Sequence, residues 1–265
     1  MDRVHAAIQK ARRLAAETPD GWDSAAPRQP GVASHDAAWA GLPTFAPDAE
    51  ALERLRVVDE DSGVPEAAAF ASLRGKVLRI MKARGWRTLG VTSPTSGCGK
   101  TTITLNLGFG IGRAGSARAA LLDVDLHRAM LSRSLGLEVA SPISQAFAGA
   151  ASIVGSLVRP LPTLAVGVGT QSDSRRVGNV LHGPAAGAAM RDLKARLKPD
   201  IIICDLPPLL EIDDALAFAP QLDGILLVCA AERSRPDELQ LCQTELAGRC
   251  ELLGIVLNKC RYDER

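Results

Sequence analysis

A glycine-rich stretch over residues 92–102 combines residue types that can hold the phosphates of a nucleotide. Gly97 and Gly99 let the backbone approach a ligand closely, and the loop amides and the positive end of a following helix would face its phosphates. Lys100 would reach the β- and γ-phosphates, and the Thr101 hydroxyl would ligate Mg²⁺. The predicted nucleotide-binding residues of this loop are Ser96, Gly97, Cys98, Gly99, Lys100, Thr101 and Thr102.

Acidic residues at the ends of two apolar segments complete a candidate site. Segment 119–125 ends in Asp123 and Asp125, which alternation places on one side of a strand, and segment 201–208 carries Asp205. Acids at the carboxyl edge of a parallel sheet can hold Mg²⁺ and accept a proton from an attacking hydroxyl. The predicted metal ligands are Thr101, Asp123 and Asp205, and the predicted catalytic residues are Lys100, Asp123, Asp125 and Asp205.

Each of these features has a simpler explanation when it is taken alone. Pro94 occupies the place of the first glycine in the G-x-x-x-x-G-K-[ST] pattern, so the loop departs from the strict motif. An aspartate after an apolar strand is often only a turn or helix-cap residue. The ordered combination of the loop and two acid-ended strands rarely arises by chance, and it favours nucleotide binding.

The pattern of apolar residues predicts the elements that position these groups. Runs of strand length alternate with segments of helical length, which is typical of an α/β fold with a mostly parallel sheet covered by helices on both faces. With the phosphate loop, this predicts a P-loop NTPase. Strands are predicted near residues 87–92, 119–124, 162–168, 200–204, 224–230 and 251–257, and helices near 65–83 and 101–114.

The beginning of the chain differs in composition from the rest. Apolar residues at helical spacing predict an amphipathic helix over residues 1–17, which would either dock on a partner or pack on its own domain. Residues 18–63 are rich in Ala, Pro and Asp and are predicted to form a flexible linker. Residues 64–265 are predicted to form the P-loop domain.

Composition argues against several classes of protein. The 265 residues carry a formal charge of +1 and only three Trp, one Tyr and five Phe, which predicts no nucleic-acid partner. No apolar run has the length of a membrane span and the start lacks a signal-peptide pattern, which predicts a cytoplasmic protein. Six cysteines without Cys-x-x-Cys spacing predict reduced thiols. Cys98, at a helix start, is either a reactive thiol or a spacer.

Because these motifs follow one another in this order along the chain, residues 64–259 resemble the bacterial tyrosine kinase family. Its members are cytoplasmic ATPases that partner membrane polysaccharide co-polymerases in capsule and exopolysaccharide production. The phosphate loop, Asp123-Val124-Asp125 and Cys204-Asp205-Leu206-Pro207-Pro208 are similar to the family's Walker A, A′ and B motifs. The resemblance implies ATP and Mg²⁺ as cofactors, Asn258 as a base contact, and the cytoplasmic segment of a transmembrane co-polymerase as the partner. It also implies recruitment to the inner face of the cell membrane, only through that partner.

Several positions depart from the family pattern. The chain has one tyrosine, Tyr262, in a tail over residues 260–265. Because six extended residues span about 20 Å at most, the phosphoacceptor role of Tyr262 competes with its being simply a terminal residue. The oligomerisation motif, a Glu followed by two Arg, retains only Arg74, with Ala68 and Ala71 at its other positions. Assembly as a homo-oligomer therefore stays open.

Three functions remain open at this point. The extra lysine of partitioning and division-site ATPases is replaced by Thr95, which favours the kinase branch, and Arg261 favours ATP over GTP. The preferred function is an ATP-binding, tyrosine kinase-like ATPase that regulates exopolysaccharide or capsule polymerisation and export. The alternatives are a nucleotide-dependent docking regulator that has lost kinase activity and, more weakly, a positioning ATPase. His127, two residues after Asp125, is predicted to be an exposed helix-start residue.

Overall fold

A seven-stranded sheet forms the centre of the computed structural model, which describes residues 33–59, 62–170 and 180–260. The strand order is β3-β4-β2-β5-β1-β6-β7, and all neighbours are parallel except β3 and β4. The predicted fold class is therefore confirmed. The strands are β1 Thr88–Thr92, β2 Ala119–Asp123, β3 Leu157–Leu161, β4 Leu164–Gly167, β5 Ile201–Asp205, β6 Gly224–Ala230 and β7 Glu251–Asn258.

Helices cover both faces of this sheet. Because successive side chains of a strand point to opposite faces, Leu121 and Leu122 of β2 enter two different apolar clusters. Strands β2 and β5 are buried on both sides, which explains their mostly apolar sequence. The helices are α1 Ala33–Ala40, α2 Ala49–Arg54, α3 Pro65–Arg84, α4 Lys100–Ala114, α5 Met130–Leu135, α6 Ile143–Phe147, α7 Pro184–Leu197, α8 Asp214–Phe218 and α9 Pro236–Leu246.

The prediction of a flexible linker over residues 18–63 is wrong for residues 33–59, which contain α1 and α2. Trp39 is 1% exposed, and its indole nitrogen donates a hydrogen bond to the carbonyl of Leu197 at 2.6 Å. The backbone N–H of Val58 donates to Oδ1 of Asn106 in α4 at 3.0 Å. Proline-rich composition indicated a linker, but burial of a large aromatic side chain outweighs that tendency. Residues 33–59 therefore pack against the rest of the domain.

One strand of the structure was not predicted from the sequence, and one predicted helix cannot be compared with it. The antiparallel strand β3 was missed, because Pro160 and Arg159 interrupt its apolar pattern. Pro is tolerated there because β3 lies at the edge of the sheet. The amphipathic helix predicted over residues 1–17 lies outside the described residues. Within the described ranges, no helix combines the length and the apolarity that crossing a membrane requires.

Candidate functional site

The phosphate loop connects the end of β1 to the start of α4. Gly97 and Gly99 adopt φ values of +80° and +92°, which side chains rarely allow and glycine adopts freely. The loop is held against the segment that follows β5, since Thr92 Oγ1 donates to the carbonyl of Pro207 at 2.7 Å. The backbone N–H of Leu209 donates to the carbonyl of Ser93 at 2.8 Å. The loop therefore has a fixed shape without a ligand.

The structure brings together Lys100 and all three predicted acids. Nζ of Lys100 donates to Oδ2 of Asp125 at 3.1 Å, and both residues are buried. Oγ1 of Thr101 donates to Oδ2 of Asp205 at 2.7 Å. The strands explain the rest of the arrangement, because Asp123 at the end of β2 lies in register with Asp205 at the end of β5. Residues far apart in sequence thus meet at one edge of the sheet.

Thr104 adds a further contact that the sequence did not predict. Its hydroxyl donates to Oδ1 of Asp205 at 3.1 Å and lies one turn of α4 after Lys100. Asp205 therefore accepts a hydrogen bond on each carboxylate oxygen, from Thr101 and from Thr104. The available signal was the spacing of Thr101 and Thr104, because residues three apart on a helix lie on the same face.

The other two carboxylates are incompletely paired. Asp123 Oδ2 accepts a hydrogen bond from the backbone N–H of Leu131 at 3.1 Å. Within the described residues, Oδ1 of Asp123 and Oδ1 of Asp125 are buried without a hydrogen-bond partner. Because an unpaired buried acceptor costs free energy, two such atoms at one place indicate that a ligand supplies the missing partner.

Burial and mutual repulsion change the ionisation of this group. Burial, followed by the charges of Asp205 and Asp125, raises the pKa of Asp123 well above its ordinary value. Burial also raises the pKa of Asp205 from 3.8 to about 6, although Lys100 and the Thr101 hydrogen bond oppose the change. A bound cation would favour the ionised form of both groups.

These residues suit a hard cation such as Mg²⁺. The oxygens of Thr101, Asp123, Asp125 and Asp205 are of the type that Mg²⁺ prefers, and two of them lack a partner. The described part of the chain has no cluster of three or more His, Cys, Asp or Glu side chains arranged to hold a metal by themselves. Mg²⁺ is usually bound through one or two carboxylates, water and substrate phosphates.

Other side chains cover the opposite side of the loop. Asn258, at the end of β7, donates from Nδ2 to the carbonyl of Cys98 at 2.9 Å and lies over Gly99. Cys98 is itself fully buried, which is the environment of a packing residue rather than of a reactive thiol. Thr102 lies in the first turn of α4, where its carbonyl accepts from Nδ2 of Asn106 at 2.9 Å.

Two residues near the loop were missed by the sequence reasoning. Oε1 of Glu211 accepts a hydrogen bond from the backbone N–H of Ser96 at 2.6 Å, and its other oxygen pairs with Arg128 at 2.8 Å. Arg233, in the segment after β6, lies over Gly97. Both residues are in irregular segments at the carboxyl edge of the sheet, where ligands of α/β proteins bind, and only that position marks them.

Four other positions that the sequence analysis singled out make contacts elsewhere or lie outside the described residues. His127 is half-buried rather than exposed, because Nε2 lies 2.7 Å from Oδ2 of Asp214. Arg74 donates to the carbonyl of Gly110 in α4 at 3.1 Å, so it contacts its own domain. Tyr262 and Arg261 lie outside the described residues.

The sequence matches known families over most of its length. The family model described as the CobQ/CobB/MinD/ParA nucleotide binding domain matches residues 89–265. The chain is 27% identical over 199 residues to EpsB of Ralstonia nicotianae, covering 73% of this chain and 26% of EpsB. It is 30% identical over 222 residues to the succinoglycan biosynthesis transport protein ExoP of Rhizobium meliloti (82% of this chain, 28% of ExoP). It thus spans about a quarter of the length of these relatives.

Shorter relatives and solved structures point the same way. The tyrosine-protein kinase CpsD of Streptococcus pneumoniae is 28% identical over 181 residues, covering 65% of this chain and 76% of CpsD. The kinase domain of the Escherichia coli tyrosine kinase ETK superposes with a TM-score of 0.66 at 19% identity, covering 85% of this chain and 93% of that domain. The predicted resemblance to bacterial tyrosine kinases is confirmed.

Some of the similar solved structures carry a nucleotide. The septum site-determining protein MinD of Pyrococcus horikoshii, in complex with Mg-ADP, superposes with a TM-score of 0.56 at 25% identity. The match covers 67% of this chain and 72% of that protein. A protein of this fold thus binds a magnesium nucleotide.

Proposed function

Since the chain belongs to the CobQ/CobB/MinD/ParA nucleotide binding domain family, we propose that it binds ATP together with Mg²⁺ at the loop between β1 and α4. One observation carries the proposal: Lys100, Thr101 and three fully buried carboxylates converge at one edge of the sheet. Buried carboxylates with unpaired oxygens are costly, and a metal-bound nucleotide would satisfy them.

Different residues of the site have different roles in phosphoryl transfer. The phosphates lie against the amides of residues 96–102, which Gly97 and Gly99 leave accessible. Lys100 exchanges its contact with Asp125 for the β- and γ-phosphates. Thr101, Asp123 and Asp205 would hold Mg²⁺, which would offset the negative charge of the phosphates.

A general base is the remaining requirement. When Lys100 turns to the phosphates, both oxygens of Asp125 become available, and either Asp125 or Asp123 accepts the proton of the attacking hydroxyl. Lys100 then stabilises the charge that develops on the transferred phosphoryl group. Burial raises the pKa of Asp123, which increases the basicity of that carboxylate.

The biological role that fits best is that of a tyrosine kinase-like ATPase in exopolysaccharide or capsule polymerisation and export. The support comes from the names of two relatives, a succinoglycan biosynthesis transport protein and a tyrosine-protein kinase. The protein acts in the cytoplasm and is recruited to the inner face of the membrane by the cytoplasmic segment of a co-polymerase. Its acceptor tyrosine is either Tyr262 or a residue of another protein.

A second candidate is a nucleotide-dependent docking regulator without kinase activity. Two observations favour it over an active ring-forming kinase, and Thr95 argues against a positioning ATPase. The chain has a single tyrosine. Arg74, the remaining charge of the family's oligomerisation motif, donates a hydrogen bond to α4 of its own domain. In this case ATP binding would change affinity for the membrane partner without label transfer.

Incubation with γ-labelled ATP and Mg²⁺ tests these functions. The wild type is compared with Lys100→Ala and Tyr262→Phe, each alone and with the cytoplasmic segment of the co-polymerase. We expect ATP binding that Lys100→Ala abolishes, and label on a tyrosine. Label that persists in Tyr262→Phe places the acceptor elsewhere. Tight ATP binding without any label on tyrosine supports the regulator, and absence of ATP binding overturns both proposals.

A further inference from the structure

Arg233 occupies an unusual position beside the phosphate loop. It lies in the short segment after β6, and β6 borders β1 on the side opposite to β5 and β2, the strands that carry the acids. A Cβ atom built at Gly97 would lie 2.5 Å from Nη1 of Arg233 and 3.3 Å from its Cζ. The guanidinium therefore rests directly on the loop backbone, in space that only a glycine at position 97 leaves open.

The charge of Arg233 is unbalanced in the described part of the chain. Among those residues, it makes no hydrogen bond or ion pair through its side chain. Its neighbours differ, because Lys100 pairs with Asp125 and Arg128 pairs with Glu211. A cation at a loop that presents backbone N–H groups adds positive charge where the loop is already positive. Such an arrangement is unfavourable alone and favourable with an anion.

The segment that carries Arg233 is held in place. Ser234 Oγ accepts a hydrogen bond from the backbone N–H of Ala230 at 3.0 Å and lies 3.5 Å from Sγ of Cys98. The backbone N–H of Ala231 donates to the carbonyl of Asn258 at 2.8 Å. Glu232 has a φ of 62°, a conformation that non-glycine residues adopt only at a cost. These contacts fix the base of the Arg233 side chain against the loop.

We propose that Arg233 binds the polyphosphate of the nucleotide as a second cation, from the side opposite to Mg²⁺. The ligand is a nucleoside di- or triphosphate, and the inference rests on the proposed nucleotide binding. A guanidinium offers several donors in one plane, which suits phosphate oxygens. Lys100 and Arg233 then contact the phosphates from the two sides of the loop.

The test is the affinity of the full chain for ADP with Mg²⁺, measured by calorimetry at two ionic strengths. The variants are Arg233→Gln, Arg233→Lys and a matched control, Arg235→Gln. Arg235 lies in the same segment and is exposed, but it pairs with Asp237. We expect Arg233→Gln to raise the Kd about tenfold, as the loss of one charge-assisted contact does. Arg233→Lys should raise the Kd by a smaller factor, because it keeps the positive charge. Arg235→Gln should change the Kd less than about twofold.

The salt dependence distinguishes a phosphate contact from stacking on the base. A contact between charges weakens in salt, so the ratio of the two Kd values should fall as ionic strength rises. A ratio that is unchanged by salt, or equal effects of the two Gln variants, overturns the assignment of Arg233. If the wild type binds ADP and Arg233→Gln binds it equally well, only this inference fails. If the wild type binds no nucleotide, the proposed function fails with it.

Discussion

The two sides of the phosphate loop differ in how their charges are arranged. The inner side, formed by Lys100, Thr101 and the acids of β2 and β5, is buried and carries more negative than positive charge. The outer side, formed by Arg233 and Asn258 over Gly97 and Gly99, is neutral except for one guanidinium. The inner side thus has one cation for three carboxylates, and the outer side has a cation without an anion. A magnesium nucleotide supplies both the missing cation and the missing anion.

This difference has a cost in the protein without ligand. On the inner side, burial holds the pKa of Asp123 and of Asp205 above ordinary values, so ionisation at neutral pH destabilises the fold. On the outer side, Asn258 satisfies a carbonyl of the loop and stabilises its conformation. The inner side therefore gains most from a bound cation, and Asn258 on the outer side keeps the loop in the conformation that binding requires.

Removal of Lys100 should have the largest effect. In Lys100→Ala the phosphates lose their buried cation, and we expect ATP affinity to fall by roughly 100-fold or more, as for loss of a charge-assisted contact in a buried site. Calorimetry with ATP and Mg²⁺ measures this. The exposed Lys76→Ala on α3 is the control.

The same substitution leaves Asp125 buried without its cation, so the melting temperature should also fall. Lys100→Met combined with Asp125→Asn restores balance to the pair. Affinity that recovers together with stability in the double variant would contradict a direct contact of Lys100 with phosphate.

Substitution of Asp123 should separate stability from function. In Asp123→Asn a buried charge disappears, so the melting temperature of the ligand-free protein should rise by about 2–4 °C for each kcal/mol gained. Magnesium-dependent turnover should be lost, because the carboxylate no longer balances the cation. Thermal melting with and without Mg-ATP measures both. A lower melting temperature without ligand would show that the acids of the inner side are not destabilising.

The pH dependence should report on Asp205. Its pKa in the folded protein is about 6 and its ordinary value is 3.8, so between these values the folded state binds more protons than the unfolded state. Its stabilising contribution is complete below pH 3.8 and is lost as the pH rises through about 6. Asp205→Asn should gain up to roughly 3 kcal/mol relative to wild type between pH 4 and pH 7. Urea unfolding at both pH values measures it, and a constant difference contradicts it.

Gly97→Ala tests the outer side. A side chain at this position is strained at φ +80° and would displace Arg233, so nucleotide affinity should fall about tenfold. Gly248→Ala is the control, because Gly248 has a φ of +75° but nothing within 4 Å of an added Cβ. Both variants should lose similar stability, roughly 1–2 kcal/mol. Equal nucleotide affinity in the two variants would remove the distinction between the sides of the loop.

Asn258→Ala should have the smallest effect. The loop loses one hydrogen bond, to the carbonyl of Cys98, which contributes about 1 kcal/mol and corresponds to a several-fold change in affinity. If Asn258 also contacts the base, the preference for ATP over GTP should decrease. Competition between the two nucleotides measures this. A loss as large as that of Lys100→Ala would place Asn258 among the phosphate contacts.

Much of the fold was predictable from local pattern. Five of the seven strands are buried along their whole length, and Ile201–Asp205 and Gly224–Ala230 are mostly apolar because a strand covered on both faces has no polar side. Helix α3 was predicted at 65–83 and found at Pro65–Arg84, with proline at its start and Gly85 at its end. The sequence-level errors fall where neighbours decide the structure, as for Trp39 in the expected linker and for the edge strand β3.

The sequence by itself determined which groups could do chemistry, since a loop of glycine, lysine and threonine and two acid-ended strands are local patterns. Only the tertiary structure decided which atoms are paired. Whether Asp123 and Asp125 keep an unpaired oxygen, and whether Arg233 lies on Gly97, depends on the order β2-β5-β1-β6-β7. That order brings residues more than a hundred positions apart into contact, and burial at this edge of the sheet raises the pKa of Asp205.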